Sequence, residues 1–229
     1  MTTLYGKDSA CEIKKIHKEL TSTGYCKFNV SSEKISTLEI SELLGNTAEL
    51  YGVPTVQKLC PKNLNNAKPN TYSGNYGLNA FPLHTDMAHW SSPPHYLLLR
   101  CAGPATNVKT LLLDLEHIIN TESKITLNRA LFRPRRSLDN KTCLLRLTEN
   151  NILRWDELFL SPVNQTAKDL SNRILEKIKL STPITIGLTK KTECIIIDNW
   201  RALHGRTPVV EKFESRIIDR VYLSSLWDI

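Results

Sequence analysis

No stretch of this chain is apolar for long enough to cross a bilayer: its longest apolar runs, such as Tyr96 to Leu99 and Ile195 to Ile197, are strand-sized, against the roughly 20 residues a spanning helix needs. The start, MTTLYGKDSACEIKK, lacks the basic opening and apolar stretch of a secretory signal. A cytoplasmic protein with no membrane partner is the expectation. The six cysteines, at positions 11, 26, 60, 101, 143 and 194, include no C-x-x-C pair, which argues against a cysteine zinc site and a disulfide framework. Nothing resembles a flexible linker or an internal repeat, and 229 residues suit one hydrophobic core. The densest basic run, FRPRRS, carries Arg133, Arg135 and Arg136 but no aromatic platform beyond Phe132, so it reads as a solvated loop rather than a single-strand nucleic-acid site.

What is present is an ordinary globular composition, 41% hydrophobic and 23% charged. The formal net charge of +7 admits an acidic partner, either a nucleic acid or an anionic metabolite. Apolar Ile13, Ile16 and Leu20 recur at helical spacing and Gly24 supplies a stop, predicting a helix from Ser9 to Thr23. A strand follows over Tyr25 to Val30, then one or two helices between Lys34 and Tyr51. From Thr55 onward short β-rich runs dominate: Thr55 to Leu59, Tyr76 to Leu83, Tyr96 to Cys101, Val108 to Leu113, Cys143 to Leu147, Ile152 to Trp155, Ile184 to Leu188, Cys194 to Ile197 and Ser215 to Leu223. A helix from Gln165 to Leu180 interrupts them, and residues 60 to 75 form a polar connector. The expected fold class is mixed α/β and mainly β: two packed sheets in a jelly roll, cupin-like, with helices buttressing one outer face. A single domain over 1–229 would have a helical N-terminal support in 1–54 and a jelly-roll core in 55–229.

His84 and Asp86 lie two apart at the end of the apolar strand FPL, so strand periodicity turns both to the same side. One imidazole and one carboxylate leave a metal ion under-coordinated, and His204 in IIIDNWRALHGR is the best third ligand. Two histidines and a carboxylate on one face of an octahedron leave three positions open, the arrangement of non-haem iron oxygenases. His89 and His95 compete for the role, and read instead as lid or loop residues.

The segments FPLHTDMAHW, PPHYLLLRCAGPA, IIIDNWRALHGRTP and SRIIDRVYL occur in that order. Together they resemble the taurine dioxygenase and clavaminate synthase-like family of iron(II) and 2-oxoglutarate oxygenases over roughly Tyr76 to Tyr222. DNWRALHGR is also similar to the carnitine-biosynthesis hydroxylase branch. The resemblance implies a double-stranded β-helix, Fe(II) held by His84, Asp86 and His204, and 2-oxoglutarate and O2 as co-substrates. It assigns Arg216 to the C5 carboxylate of the keto acid, which suits the planar fork of a guanidinium, and Thr110 to its support. Period-two alternation puts Arg216, Ile218, Arg220 and Tyr222 on one face of the last strand. Arg220 is then left for the C1 carboxylate or, by preference, an anionic group of the substrate.

Arg154 and Asp156 in RWD resemble an element of the same family, with Asp156 placed to hold a substrate amine or to form a structural salt bridge. Met87, Ala88 and Trp90 would wall the mouth of the site or belong to the core, and Tyr72, Asn75 and Tyr76 are candidates for a substrate loop. The implied activity is hydroxylation of an unactivated C–H bond in an anionic or zwitterionic small molecule, such as an amino acid, coupled to decarboxylation of 2-oxoglutarate. Asp86 speaks against halogenation, which needs its coordination position vacated. The alternatives are an oxygenase acting on a nucleic acid or polypeptide, and a non-catalytic jelly-roll binding module.

Overall fold

The computed structural model describes residues 2–4, 9–103, 108–136, 143–210 and 216–228. In chain order the elements begin with β1 (Thr2–Leu4), α1 (Ser9–Thr23), β2 (Tyr25–Val30), α2 (Thr37–Leu44), β3 (Gly45–Thr47) and β4 (Gln57–Leu59). They continue with α3 (Tyr72–Tyr76), β5 (Phe81–His84), β6 (Tyr96–Cys101), β7 (Lys109–Asp114), α4 (Leu115–Ile119), α5 (Lys124–Arg129) and β8 (Phe132–Pro134). The last third holds β9 (Thr148–Glu149), β10 (Ile152–Leu153), β11 (Leu160–Pro162), α6 (Gln165–Leu180), β12 (Ile184–Gly187), β13 (Glu193–Asp198), β14 (Ala202–Arg206) and β15 (Ile218–Leu226). A seven-stranded sheet has the order β1-β2-β13-β6-β15-β3, with β4 also on β15, and a four-stranded sheet has the order β12-β7-β14-β5.

Strand alternation explains how the layers stack. On one face of the larger sheet Leu98, Ile196, Val221 and Leu223 pack with Ile13, Ile16 and Leu20 of α1 and Ile40 and Leu44 of α2. On its other face Leu97, Leu99, Ile195, Ile197, Ile218 and Tyr222 meet Leu112 and Ala202 of the smaller sheet. Both faces of β13 are covered, which is why Ile195 to Ile197 is an unbroken apolar run. The outer face of the smaller sheet, through Leu83 and Leu203, packs on α4 and α6. Helices therefore cover both sheets, where the sequence predicts only one buttressed face. The N-terminal segment is not purely helical support either, because β1, β2 and β3 are strands of the larger sheet.

Four expected elements shorten or change. The helical stretch Lys34 to Tyr51 reduces to α2, the strand Tyr76 to Leu83 reduces to β5 behind α3, and Cys143 to Leu147 retains only a bridge between Leu145 and Phe132. The final strand begins at Ile218, and Ser215, its expected start, lies outside the described residues. No helix among the described residues is long and apolar enough to cross a membrane.

The turn into β13 carries a buried acid. Burial alone would raise the Glu193 carboxyl, but Lys27 at 2.8 Å and the backbone N–H groups of Thr189 and Lys190 outweigh it and hold the group at about 2, below its ordinary 4.5. A depressed carboxyl contributes stability above its unfolded value and loses it as pH falls through the folded one. The urea midpoint should therefore drop between about pH 4.5 and 2 in the wild-type chain, and Glu193→Gln should flatten that drop. Parallel curves for the two proteins would contradict the assignment.

Candidate metal centre

In the smaller sheet β14 runs antiparallel to β5, and the register sets His204 opposite His84. The pairing shifts by a bulge before Arg206 and Phe81. Gly205 makes that approach feasible, since a Cβ there would stand 2.7 Å from the Phe81 carbonyl oxygen. Asp86 follows β5 in a turn where Met87 takes the left-handed conformation (φ +56°). Asn199, wholly buried after β13, braces this turn: its Oδ1 accepts from the Asp86 N–H at 2.8 Å, and its Nδ2 donates to the carbonyls of Asp86 at 3.0 Å and Pro94 at 2.8 Å.

One ligand atom from each of His84, Asp86 and His204 lies within 4.8 Å of the other two, and all three residues are buried. Asp86 Oδ1 is 3.3 Å from His84 Nε2 and 3.6 Å from His204 Nε2. Nδ1 of His84 lies 2.8 Å from the Pro82 carbonyl; donating there leaves Nε2 as the free acceptor, the usual way a ligating imidazole is oriented. The Tyr72 ring stacks on His84 at 3.9 Å between centroids. The second carboxylate oxygen is already engaged: Asp86 Oδ2 accepts from Arg220 Nη1 at 2.9 Å and from the Tyr222 hydroxyl at 2.8 Å. Asp86 thus presents a single oxygen toward the two imidazoles.

Burial works against ionisation of Asp86, but Arg220, followed by His204, outweighs it and holds the carboxyl well below its usual range. Burial pushes His204 down, keeping a lone pair available. Burial also opposes charge on His84, yet Asp86 draws that imidazole up. Burial and Asp86 push the Tyr222 phenol well up, so it stays a donor. An ionised carboxylate with two convergent imidazole nitrogens is the donor set that iron(II) takes, and a metal bound here would displace protons, so affinity should fall in acid.

The three residues stand in a cavity of about 650 Å³ that also has Met87, Thr110, Asp156, Arg216 and Arg220 in its wall. Arg216 is buried, its Nε has no partner among the described residues, and burial lowers it to about 10, still a cation at neutral pH. Burial, and then the neighbouring charge of Arg216, lowers Arg206 to about 10 as well; it donates to the carbonyls of Gly77 at 2.9 Å and Asn79 at 2.7 Å, and lies over the Phe81 ring. Asp156 Oδ1 accepts from the N–H groups of Leu158 and Phe159 at 2.7 and 2.8 Å. Burial raises its carboxyl.

Three expected substrate residues do not reach this space, Asn75 among them, whose Nδ2 donates to the carbonyls of Pro69 at 3.0 Å and Thr71 at 2.8 Å. Arg154 is fully buried behind the turn, donating to the carbonyls of Ala88 at 3.1 Å, Ser91 at 3.0 Å and Trp90. It forms no salt bridge with Asp156 and lies outside the cavity wall. Tyr76 packs behind Tyr72 and Phe81, also outside the wall. Arg220 reaches the cavity but is not a free anion clamp, since its Nη2 donates to Gln57 Oε1 at 2.6 Å while Nη1 holds Asp86. His89 lines the cavity against Phe159, away from the three convergent ligands, and His95 is stacked between Tyr96 and Trp200.

Sequence reading missed Asn199 and Tyr222 as supports of Asp86, and Gln57 as the partner that holds Arg220 against it. Tyr222 had a signal, because alternation placed it on the same strand face as Arg220. It also missed Arg135 and Arg136, which line the cavity rather than a remote loop.

No family model and no curated protein matches the chain. Solved structures do match. An asparagine oxygenase in complex with Fe(II), hydroxyasparagine and succinate superimposes with a TM-score of 0.70 at 16% identity, over 93% of this chain and 79% of that one. The non-haem iron oxygenase OrfP, with Fe and α-ketoglutaric acid, gives 0.72 at 15% identity over 95% and 80%. PvcB from Pseudomonas aeruginosa gives 0.61 at 16% over 92% and 79%. At these identities the likeness is one of fold, and the chain has the fold of these oxygenases.

Tyr222→Phe removes one of the two donors to Asp86 Oδ2 without emptying the core. Fe(II) or Co(II) affinity, titrated anaerobically, should fall about 10- to 100-fold, the usual effect of losing an outer hydrogen bond to a metal ligand. Unchanged affinity would contradict the role given to the Tyr222 hydroxyl.

Proposed function

We propose that the chain is an iron(II)- and 2-oxoglutarate-dependent oxygenase, a single double-stranded β-helix unit that hydroxylates an amino acid or a similar zwitterionic small molecule. The observation that carries this reading is the convergence of His84 Nε2, Asp86 Oδ1 and His204 Nε2 in a cavity that also holds a buried arginine, Arg216, whose Nε has no partner among the described residues. Iron with O2 and 2-oxoglutarate would supply the oxidising power for the C–H bond.

The chain's own groups divide the remaining work. Arg216, with Thr110 beside it in the cavity wall, takes the C5 carboxylate of the keto acid, and burial makes that pairing strong. Arg220 and Tyr222 keep Asp86 ionised and turned to one side. Asp156 takes the substrate ammonium: its raised carboxyl would regain charge against a cation, and one oxygen is already fixed by two backbone N–H groups. Met87 and Tyr72 close the wall around the ligands and exclude water. Amino-acid substrates are supported by the hydroxyasparagine and hydroxyarginine held by two of the structures with this fold.

Iron(II)-dependent conversion of 2-oxoglutarate to succinate, stimulated by at least one member of an amino-acid panel, is the expected activity. Arg216→Leu should raise the KM for 2-oxoglutarate by about 30-fold or more, the factor matching the roughly 2 kcal/mol or more lost when a buried charge pair is truncated. Succinate formation without added iron, or an unchanged KM in the variant, would count against the reading.

A further inference from the structure

The charge lining the cavity is out of proportion to iron, keto acid and a plain amino acid. Two segments contribute exposed cations to its wall. One, β4 and the connection from it to α3, contributes Lys58, Lys62 and Lys68; the other, following β8, contributes Arg135 and Arg136. All five are exposed, and none has a carboxylate within ion-pair distance among the described residues. Arg135 spends one Nη on the Glu157 carbonyl at 3.1 Å, which fixes its position but not its charge. Some surface cations elsewhere are paired, as Lys27 is with Glu193, Arg201 with Asp114, and Arg173 and Lys177 with Glu122, and others such as Lys14 and Lys168 have no such pair among the described residues, so what sets these five apart is their gathering on one cavity wall.

Arg206, Arg216 and Arg220 add three cations deeper in the same wall, where the carboxylates among the described residues are Asp86 and Asp156. Among the described residues, eight cations thus face two anions. Loading the site leaves that imbalance standing, because the charges of iron(II) and the 2-oxoglutarate dianion cancel. A zwitterionic amino acid adds no net charge. Five like charges around one opening repel one another, and a cleft lined by one sign attracts the opposite sign and raises its local concentration. Guanidinium pairs and ammonium groups together are the usual equipment for phosphate.

We infer that the substrate carries, at the end farthest from the oxidised carbon, a phosphate-type polyanion that Lys58, Lys62, Lys68, Arg135 and Arg136 receive at the cavity mouth. This rests on the oxygenase reading above and narrows its substrate class to phosphorylated small molecules. Arg133 belongs to the same basic run but is exposed and outside the cavity wall, so it serves as an internal control.

The test uses the full chain, loaded anaerobically with Fe(II) and 2-oxoglutarate, at about 0.15 M salt, where non-specific surface attraction is screened beyond ~8 Å. Pyrophosphate is titrated calorimetrically into the wild type, the double variant Lys62→Glu/Arg136→Glu, and Arg133→Glu. Saturable binding is expected, weakened at least tenfold in the double variant and less than twofold in Arg133→Glu, with 2-oxoglutarate affinity unchanged in both. No saturable binding, equal weakening by Arg133→Glu, or binding that displaces 2-oxoglutarate would overturn the inference. So would a single-stranded oligonucleotide that binds more tightly than pyrophosphate with a steep salt slope, which would make the mouth a nucleic-acid surface. The preceding keto-acid titration separates the failures: a chain that takes up no 2-oxoglutarate refutes the oxygenase reading and this inference together, whereas one that takes it up and ignores pyrophosphate refutes this inference alone.

Discussion

A carboxylate taken out of water costs several kcal/mol unless charge and hydrogen bonds replace the lost hydration, and Asp86 is 7% exposed. Arg220 and Tyr222 on β15 satisfy one of its oxygens, while Asn199 after β13 ties down its backbone. Those three partners come from the larger sheet and its connection, whereas the two histidines come from the smaller sheet. The ligands stand in the smaller sheet and the turn after β5, and the groups that satisfy Asp86 reach it only because the larger sheet faces them across the apolar layer of Leu97, Ile197, Leu112 and Ala202.

The same geometry separates two kinds of work. Groups that must be placed to within fractions of an ångström stand on strands or directly at strand ends: His84, His204, Thr110, Arg220 and Tyr222. Such positions are held by ladder hydrogen bonds and by packing on both sides, which is how a site keeps its reacting groups preorganised. Groups at the cavity mouth stand mostly on connections: Lys62 and Lys68 lie between β4 and α3, and Arg135 and Arg136 follow β8. Loops can vary in charge without disturbing the metal ligands, so substrate choice and chemistry are structurally separable.

Much of this was legible in the residues. α1, β2, β6 and α6 coincide with their predicted limits because each carries a strong period or a clean boundary, such as Gly24 after α1. Long-range pairing defeated other predictions. Between Lys34 and Tyr51 the local pattern favours helix, yet Gly45 lies so close to β15 that a Cβ would sit 2.0 Å from the Ser225 carbonyl oxygen, and the chain is drawn into the sheet as β3. α3 falls almost wholly in the expected polar connector 60 to 75, although Thr71 caps it, accepting from the Gly74 N–H. α4 and α5 carry readable caps in Asp114 and Ser123. In the site, spacing located His84 and Asp86 and the face shared by Arg216, Arg220 and Tyr222. It could not reveal that Arg220 is occupied by Asp86 and Gln57, nor that Arg154 faces backbone carbonyls. Those facts depend on segments more than 60 positions apart meeting in space.

The central claim is that two imidazoles and one carboxylate oxygen, from positions far apart in the chain, bind one metal ion. X-ray absorption at the iron edge of the anaerobic Fe(II)-loaded protein tests it most directly. One iron per chain is expected, with the outer-sphere scattering of two imidazoles in the wild type and of one in His204→Ala. Scattering unchanged by that substitution, or an iron site without imidazole, would contradict it.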